Sequence, residues 1–354
     1  MSFLNRKDVL TILSVDPTDG DDLIEIGIRK KLNENLLLIV PVIPEGNKNY
    51  YDFCDIHNYD ETKSYNNAFK MAYWLAKCFP DTVVYVERNI VDERNPVSQK
   101  IYKHLSEELP KIEGHHYLDY PPNLCLCYNE LRMIINTSKY IKTNVGRPCT
   151  GFIFLRNIFK FDDKIITDIF VQGGSIYGED SKTTNIEGLF KRTPRESMNL
   201  ARNPKAFIEL MKIAQKDHII VIPTCYSKVR DLEDIRHLID ITYPINLYNF
   251  QDNEVVAKDI LNNCLKTYYK QDRFKDGAKL FDVDLLEIEH RVEEKKEFLV
   301  KMKCSIKKNL GEMELHNGDL DNNDEYEHFG MVSCGHKNLD LDFNNLLTII
   351  TSKQ

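Results

Sequence analysis

Residues 12–24 have the sequence ILSVDPTDGDDLI, in which an apolar run ends in four carboxylates within seven positions. A proline and a glycine separate the carboxylates, and apolar residues at helical spacing follow them. An apolar β-branched run, then turn formers, then helical spacing predicts a strand, a tight loop and a helix. Because Ile24, Ile26 and Ile28 also alternate, an extended second segment stays open as the alternative.

The acidic loop is the first candidate for a functional site. Ligands of open α/β sheets bind outside the carboxyl ends of the strands, which is where this loop falls. Carboxylates packed this densely repel one another unless a cation joins them, and hard oxygen ligands suit Ca²⁺ or Mg²⁺. The alternative is a solvated acidic turn that caps the start of the helix.

The rest of the chain alternates between strand-like and helix-like segments. Apolar runs of strand length lie at 36–43, 81–86, 151–155, 165–171 and 218–223, and helical patterns lie at 60–77, 204–214, 232–238, 255–269 and 285–303. An acidic surface loop is predicted at 317–327. Strands that alternate with helices predict an α/β fold with a mainly parallel, mixed open sheet flanked by helices. Since no linker, repeat or low-complexity tract interrupts the chain, we predict a single domain over residues 1–354.

Composition excludes several classes of partner. The 354 residues carry a net charge of −8 and no long basic block, which argues against nucleic acid and acidic membranes as partners. The first eight residues have no apolar core of signal-peptide length, and no apolar run approaches the roughly 20 residues of a membrane helix. The nine cysteines are scattered and odd in number, which favours free thiols in a reducing compartment. We therefore predict a soluble, cytoplasmic protein.

The acidic loop resembles the N-terminal motif of the nucleoside hydrolases, N-ribohydrolases whose first strand ends in the sequence D-x-D-P-G-x-D-D. Further blocks follow in the order of that family. Asn58, followed by Asn66-Asn67-Ala68, is similar to its Gly-Asn and Arg-Asn-Ala blocks, and GRPCTG at 146–151 resembles its G-P-L-T-N turn. FVQGG at 170–174 resembles its strand ending in Met-Gly-Gly, and SMNLARNPKA at 197–206 resembles its E-F-N-x-x-x-D-P-x-A block. KLFD at 279–282 stands where the family has a His-Asp pair.

This resemblance implies a nucleoside hydrolase-like fold and Ca²⁺-dependent hydrolysis of the N-glycosidic bond of ribonucleosides, as in purine and pyrimidine salvage. The partner would be a small-molecule nucleoside, and the chain would form a homodimer or a homotetramer. Carboxylates near the ribose would stabilise an oxocarbenium-like transition state. A bound Ca²⁺ would lower the pKa of a coordinated water and hold the ribose hydroxyls.

The matching positions assign the roles that the resemblance implies. Asp22 and Asp282 would ligate calcium through their carboxylates, and Thr150 through its backbone carbonyl. Asp21, Asn58 and Asn199 would form hydrogen bonds with the ribose.

The sequence departs from the family pattern at three other positions. The family has its general base four residues before the Asp pair, and here Pro17 stands there. Asp19, which would also ligate the metal, and Asp16 are the two candidates for this role. Phe281 replaces the His before the distal Asp, and Ser197 replaces a Glu. The alternative is therefore a catalytically impaired protein of this fold that binds ribose or nucleosides, or an interaction protein. A phosphatase with an Asp nucleophile is disfavoured, because Asp16-Pro17-Thr18 lacks its D-x-D spacing.

Overall fold

The structure is a computed structural model. It describes residues 9–15, 20–42, 68–73, 75–76, 79–90, 121–125, 128–137, 140–145, 166–172, 175–176, 208, 211–212, 219–222, 229–231, 279–281, 299–307, 313–316, 325–335 and 343–352. In this part of the chain no helix combines the length and the apolar character that crossing a bilayer requires.

The predicted strand and helix at the start of the chain are confirmed, whereas the loop predicted between them, residues 16–19, lies outside the described residues. The strands are β1 Val9–Ser14, β2 Asn35–Val42, β3 Val83–Ile90, β4 Leu124–Cys125, β5 Tyr140–Val145, β6 Ile166–Gln172, β7 Ser175–Ile176, β8 Ile219–Ile222, β9 Val229–Asp231, β10 Lys279–Phe281, β11 Leu299–Lys307, β12 Met313–His316 and β13 Tyr326–Gly335. The helices with defined bounds are α1 Gly20–Lys31, α2 Tyr128–Thr137 and α3 Phe343–Thr351. The predicted runs at 36–43, 81–86, 165–171 and 218–223 correspond to β2, β3, β6 and β8. Short helical segments at 68–73, 75–76 and 211–212 fall within predicted helices.

Eleven of the described strands form one mixed sheet in the order β4-β3-β2-β1-β5-β6-β8-β13-β11-β12-β7. All neighbours from β4 to β13 are parallel, whereas β11 is antiparallel to both β13 and β12. The remaining two, β9 and β10, form a separate antiparallel pair. The predicted α/β class with a mainly parallel sheet is confirmed.

The sheet curls back on itself. Only Gly173 and Gly174 separate the end of β6 from the start of β7, so at most about 11 Å of chain joins them. Yet β7 lies five strands from β6, which in a flat sheet would be about 24 Å. The antiparallel part must therefore bend round and bring β7 over the carboxyl end of β6.

Helices cover both faces of the parallel part. Ile12 shares a core cluster with Leu131 of α2. Thr11 points to the opposite face, because side chains alternate along a strand. Its hydroxyl donates a hydrogen bond to Glu34, just beyond the end of α1. The two helices thus lie on opposite faces of β1, as in doubly wound sheets.

Two predictions for the last third of the chain are wrong in part. The predicted helix at 285–303 overlaps β11, in which residues 299–303 are extended. Met302, Cys304 and Ile306 alternate along this strand and are buried, which is the period of a strand and not of a helix. The predicted loop at 317–327 also ends too late, because Tyr326 and Glu327 already belong to β13. The predicted segments 151–155, 232–238 and 255–269 lie outside the described residues, and the single domain over 1–354 stays a prediction.

The thiol of Cys304 titrates abnormally. Cys304 is buried and forms no disulfide bond, and burial raises the pKa of its thiol from its ordinary value of 9.0 to about 12. The folded state therefore retains this proton between pH 9 and 12, whereas the unfolded chain loses it. The stabilisation is fully present below pH 9 and is lost as the pH rises towards 12.

We expect the free energy of unfolding to fall above pH 9 by up to about 1.4 kcal/mol per pH unit because of Cys304. Urea denaturation at several pH values between 8 and 11 would measure this slope. Cys304→Ala lacks the thiol but retains every other titrating group, so its slope should be shallower than that of the wild-type protein. Equal slopes in the two proteins would contradict the prediction.

The side-chain amide of Asn123 forms hydrogen bonds with three backbone carbonyls at the amino edge of the sheet. Its Nδ2 donates to the carbonyl oxygens of Ala76 at 3.0 Å, Phe79 at 2.9 Å and Thr82 at 2.6 Å. These carbonyls belong to the end of a helical segment and to the turn that leads into β3. Carbonyls at a helix end lack intrahelical partners, so this amide acts as a side-chain cap.

Replacing Asn123 by Asp should destabilise the fold by about 2 kcal/mol, since it removes the donor and directs a carboxylate at carbonyl oxygens. Thr82→Val is the matched control. The Thr82 Oγ1 is buried without a hydrogen-bond partner, so losing it should be neutral or slightly stabilising. Chemical denaturation of both variants tests the pair, and a larger loss in Thr82→Val than in Asn123→Asp would refute this account.

Candidate active site

The acidic loop leaves the sheet at its topological switch point. From β1 the chain proceeds to β2 on one side, and later strands continue from β5 on the other side. The carboxyl ends of β1 and β5 therefore open a crevice between connections that run in opposite directions. Open α/β sheets bind their ligands in this crevice.

Both ends of the loop are attached to described structure. The Val15 amide donates a hydrogen bond of 3.0 Å to the Ile39 carbonyl, which extends the pairing with β2 up to the first carboxylate. On the other side of the loop, α1 begins at Gly20 and contains Asp21 and Asp22 in its first turn. The loop at 16–19 thus bridges two fixed points at the carboxyl edge of the sheet.

Of the predicted metal ligands, Asp22 is the one whose side chain lies in the described part of the chain. It is only 3% exposed, although a buried carboxylate is costly unless hydrogen bonds or a cation compensate its charge. The helix N-terminus supplies part of this compensation, because its partial charge is positive. A buried oxygen ligand of this kind fits a hard divalent cation.

The second predicted acidic ligand follows an element that lies beside α1. Cα atoms of β10 approach those of α1 to within 8 Å. Phe281 is the last residue of β10, and Asp282 follows it directly in the sequence. The element that the predicted ligand Asp282 follows in the sequence therefore lies beside the helix that contains Asp22.

A buried polar network extends from α1 into the sheet. Arg29 is 0% exposed. Its Nε and Nη2 lie 2.7 and 2.6 Å from the same oxygen of Glu25, and its Nη1 lies 3.0 Å from Glu34 Oε2. The same Glu34 oxygen accepts a hydrogen bond of 3.1 Å from the Thr11 hydroxyl. We refer to Thr11, Glu25, Arg29 and Glu34 as the Arg29 network.

The end of α1 contributes a second link to this network. Asn33 has a φ of 57°, in the left-handed region that usually favours glycine. Its amide donates to the Lys30 carbonyl, and the Glu34 amide donates to the Arg29 carbonyl, which together form a Schellman motif. Glu34 therefore contacts Arg29 through the backbone as well as through its side chain.

The charges of α1 are arranged to match the helix dipole. Carboxylates occupy its first turn, and Arg29, Lys30 and Lys31 occupy its last turn. Burial lowers the pKa of the Lys30 ammonium, and the nearby negative charge of Asp81 partly opposes this. The acidic end of the helix is the one that faces the crevice.

The structure describes the positions of two of the predicted site residues, Asp21 and Asp22. Asp22 is buried at the start of α1, and Asp21 lies beside it in the same turn. The other predicted residues lie outside the described ranges: Asp16, Asp19, Asn58, Thr150, Asn199 and Asp282. Within those ranges, no three side chains of His, Cys, Asp or Glu cluster closely enough to hold a metal ion.

Sequence reasoning missed the Arg29 network. The signal was present as Glu25 and Arg29, which stand four residues apart among isoleucines. Such a pair is usually a solvent-exposed contact on a helix surface. Burial of residues 24–29, which depends on contacts distant in sequence, makes it an internal ion pair.

Comparison with solved structures identifies the fold. The chain is similar to an inosine-uridine preferring nucleoside hydrolase from Bacillus anthracis, with a TM-score of 0.57 at 11% sequence identity. It is also similar to a plant nucleoside hydrolase, with a TM-score of 0.56 at 14% identity. A third similar structure is a purine-preferring ribonucleoside hydrolase from Gardnerella vaginalis, with a TM-score of 0.54 at 14% identity. The matches cover 98%, 97% and 97% of this chain and 99%, 98% and 97% of those chains, respectively. No protein-family model matches the sequence, and no curated protein matches it. The chain therefore has the fold of the nucleoside hydrolases, as the order of its sequence blocks predicted.

Proposed function

We propose that this protein hydrolyses the N-glycosidic bond of ribonucleosides with the help of Ca²⁺. The observation that carries the proposal is the buried Asp22 at the sheet's switch point, on a helix that lies beside β10. The three similar structures named above are nucleoside hydrolases, which is consistent with this reading of the site. A nucleoside would be the substrate, and we propose a cytoplasmic homodimer or homotetramer.

The proposed ligands are all oxygen donors, which fits a calcium ion. Asp22 offers a buried carboxylate, and Asp282 and the Thr150 carbonyl follow β10 and β5 in the sequence. Asp19 would complete a set of oxygen donors, the ligand type that Ca²⁺ prefers. When bound, the cation would lower the pKa of a coordinated water and orient the ribose hydroxyls.

The chain's own residues would then perform the proton transfer and the positioning. Asp19 or Asp16 would accept a proton from water, whose oxygen forms a bond to the anomeric carbon as the bond to the base nitrogen breaks. The electron pair of that bond leaves with the base, which gains a proton from solvent or from a side chain. Asp21, Asn58 and Asn199 would hold the ribose while positive charge develops on its ring.

A second candidate function is nucleoside or ribose binding without turnover. Pro17 at the expected position of the general base, and Phe281 at the position of a His that assists the leaving base, favour this alternative. Loss of general acid–base help costs about 10²–10⁴-fold in rate. Such a protein would still bind calcium and ribose, because its metal and ribose ligands are those of the first candidate.

Incubation of the purified protein with purine and pyrimidine nucleosides, with Ca²⁺ and with a chelator, tests the proposal. Release of ribose and free base that stops with the chelator supports hydrolysis. Calorimetric binding of a nucleoside without product release supports the second candidate. A protein that binds neither calcium nor nucleoside would exclude both.

A further inference from the structure

The Arg29 network has no part in the proposed reaction. Glu25 and Arg29 are 2% and 0% exposed, respectively, among the buried residues Ile24, Ile26 and Ile28 of α1. Replacing a buried ion pair by well-packed apolar side chains is often neutral or stabilising. Stability alone therefore does not account for this network. In some proteins, buried polar groups instead select one arrangement of packed elements among several.

The buried isoleucines of α1 do not lie on a single face of the helix. Ile24, Ile26 and Ile28 are each 0% exposed. At 100° per residue they project in more than one direction from the helix axis, so similar side chains hold the helix from several sides. Apolar contacts of this kind are non-directional and distinguish weakly between neighbouring rotations of the helix.

The three buried polar side chains, in contrast, lie on one side of α1. Asp22, Glu25 and Arg29 are three and four residues apart, a spacing that places side chains on one face of a helix. Arg29 connects this face to Glu34, and Glu34 connects it to Thr11 on β1. Hydrogen bonds are directional, so this connection fixes both the rotation of α1 and its position along its axis.

We propose that the Arg29 network is a positioning device that holds Asp22 at the switch point, with Glu25, Arg29 and Glu34 as positioning residues. The proposal rests on the proposed function, in which Asp22 binds calcium. Asp22 lies about 10 Å along the axis from Arg29, on the same face. A slip of one residue would rotate its carboxylate by about 100° and shift it by about 1.5 Å. Misplacement by about 1 Å can reduce a rate about 10²-fold.

The test uses two substitutions at Glu34, whose side chain is 20% exposed and therefore tolerates replacement. In Glu34→Gln the amide oxygen can still accept the bonds from Arg29 and Thr11. In Glu34→Leu both bonds are lost at similar volume. Calorimetric titration with Ca²⁺ should give an affinity within about twofold of wild type for the Gln variant, and at least about tenfold weaker for the Leu variant.

Two further measurements separate positioning from general loosening and from failure of the proposed function. Amide hydrogen exchange without Ca²⁺ should be faster across residues 20–31 in Glu34→Leu than in Glu34→Gln, with β3 equally protected in both. Wild-type calcium affinity in the Leu variant would overturn the proposal. If the wild-type protein itself binds no calcium, the proposed function fails, and amide exchange alone tests whether the network positions α1. Equal protection of α1 in the two variants would then overturn the positioning role. Faster exchange of α1 in Glu34→Leu would support it.

Discussion

Replacing Asp22 by Asn is expected to abolish calcium binding and to reduce nucleoside hydrolysis by at least about 10²–10³-fold. Asn has nearly the same shape as Asp but no charge. Asp22 is 3% exposed in the first turn of a helix, and the neutral amide of Asn would bind a divalent cation much more weakly than its carboxylate does. A ligand that binds only the folded state stabilises it by about 2.7 kcal/mol at a hundredfold excess over its dissociation constant. The wild-type melting temperature should therefore rise with Ca²⁺, and that of Asp22→Asn should not.

Asp81→Asn is the matched control for this experiment. Asp81 is an exposed carboxylate that precedes β3, at the opposite edge of the sheet. The same chemical change there should leave both the calcium-dependent shift and the rate unaltered. A calcium-dependent shift that persists in Asp22→Asn would remove this residue from the metal site.

Replacing Arg29 by Met is expected to destabilise the protein by about 3–5 kcal/mol, the largest stability effect we predict. Met retains a long apolar stem but leaves Glu25, which is 2% exposed, without its guanidinium partner. The double variant Glu25→Met/Arg29→Met removes both charges and should recover most of this loss, because apolar pairs often replace buried ion pairs without cost. Denaturant titration of the two single variants and the double variant gives the coupling energy directly.

Lys212→Met provides the control for a surface ion pair. Lys212 and Glu327 are separated by 3.2 Å, and their side chains are 47% and 30% exposed. Solvent screens such a pair, so breaking it should cost less than about 1 kcal/mol. Equal losses in Lys212→Met and Arg29→Met would show that burial of the Arg29 network does not matter.

The elements that the sequence predicts correctly are those specified by local patterns. The change from an apolar run to turn formers and then to helical spacing locates β1 and α1, because each part is determined by its own residues. Continuous apolar runs locate β2, β3, β6 and β8, since strands covered on both faces need apolar side chains on both. The similarity of these blocks to one family then predicted the overall fold, which the solved structures confirm.

The features that the sequence does not predict depend on contacts between distant segments. The helical pattern that begins at 285 obscures the alternation of Met302, Cys304 and Ile306, which becomes unambiguous only when β11 pairs with β13. Burial of Glu25 and Arg29 likewise depends on segments distant in sequence that pack around α1, and their sequence spacing alone does not reveal it. The candidate site was predicted through Asp22, whereas the network behind it required the folded structure.

The curled end of the sheet has a consequence for how the protein is made. During synthesis, β8 leaves the ribosome long before β13, its neighbour in the sheet, and β7 emerges long before β12. Until their later neighbours are synthesised, β7 and β8 each have an edge without a partner strand, and such edges promote aggregation. A nascent chain that terminates before β11 could never cover them, so nonsense mutations in the last third should yield insoluble products rather than a shorter folded protein.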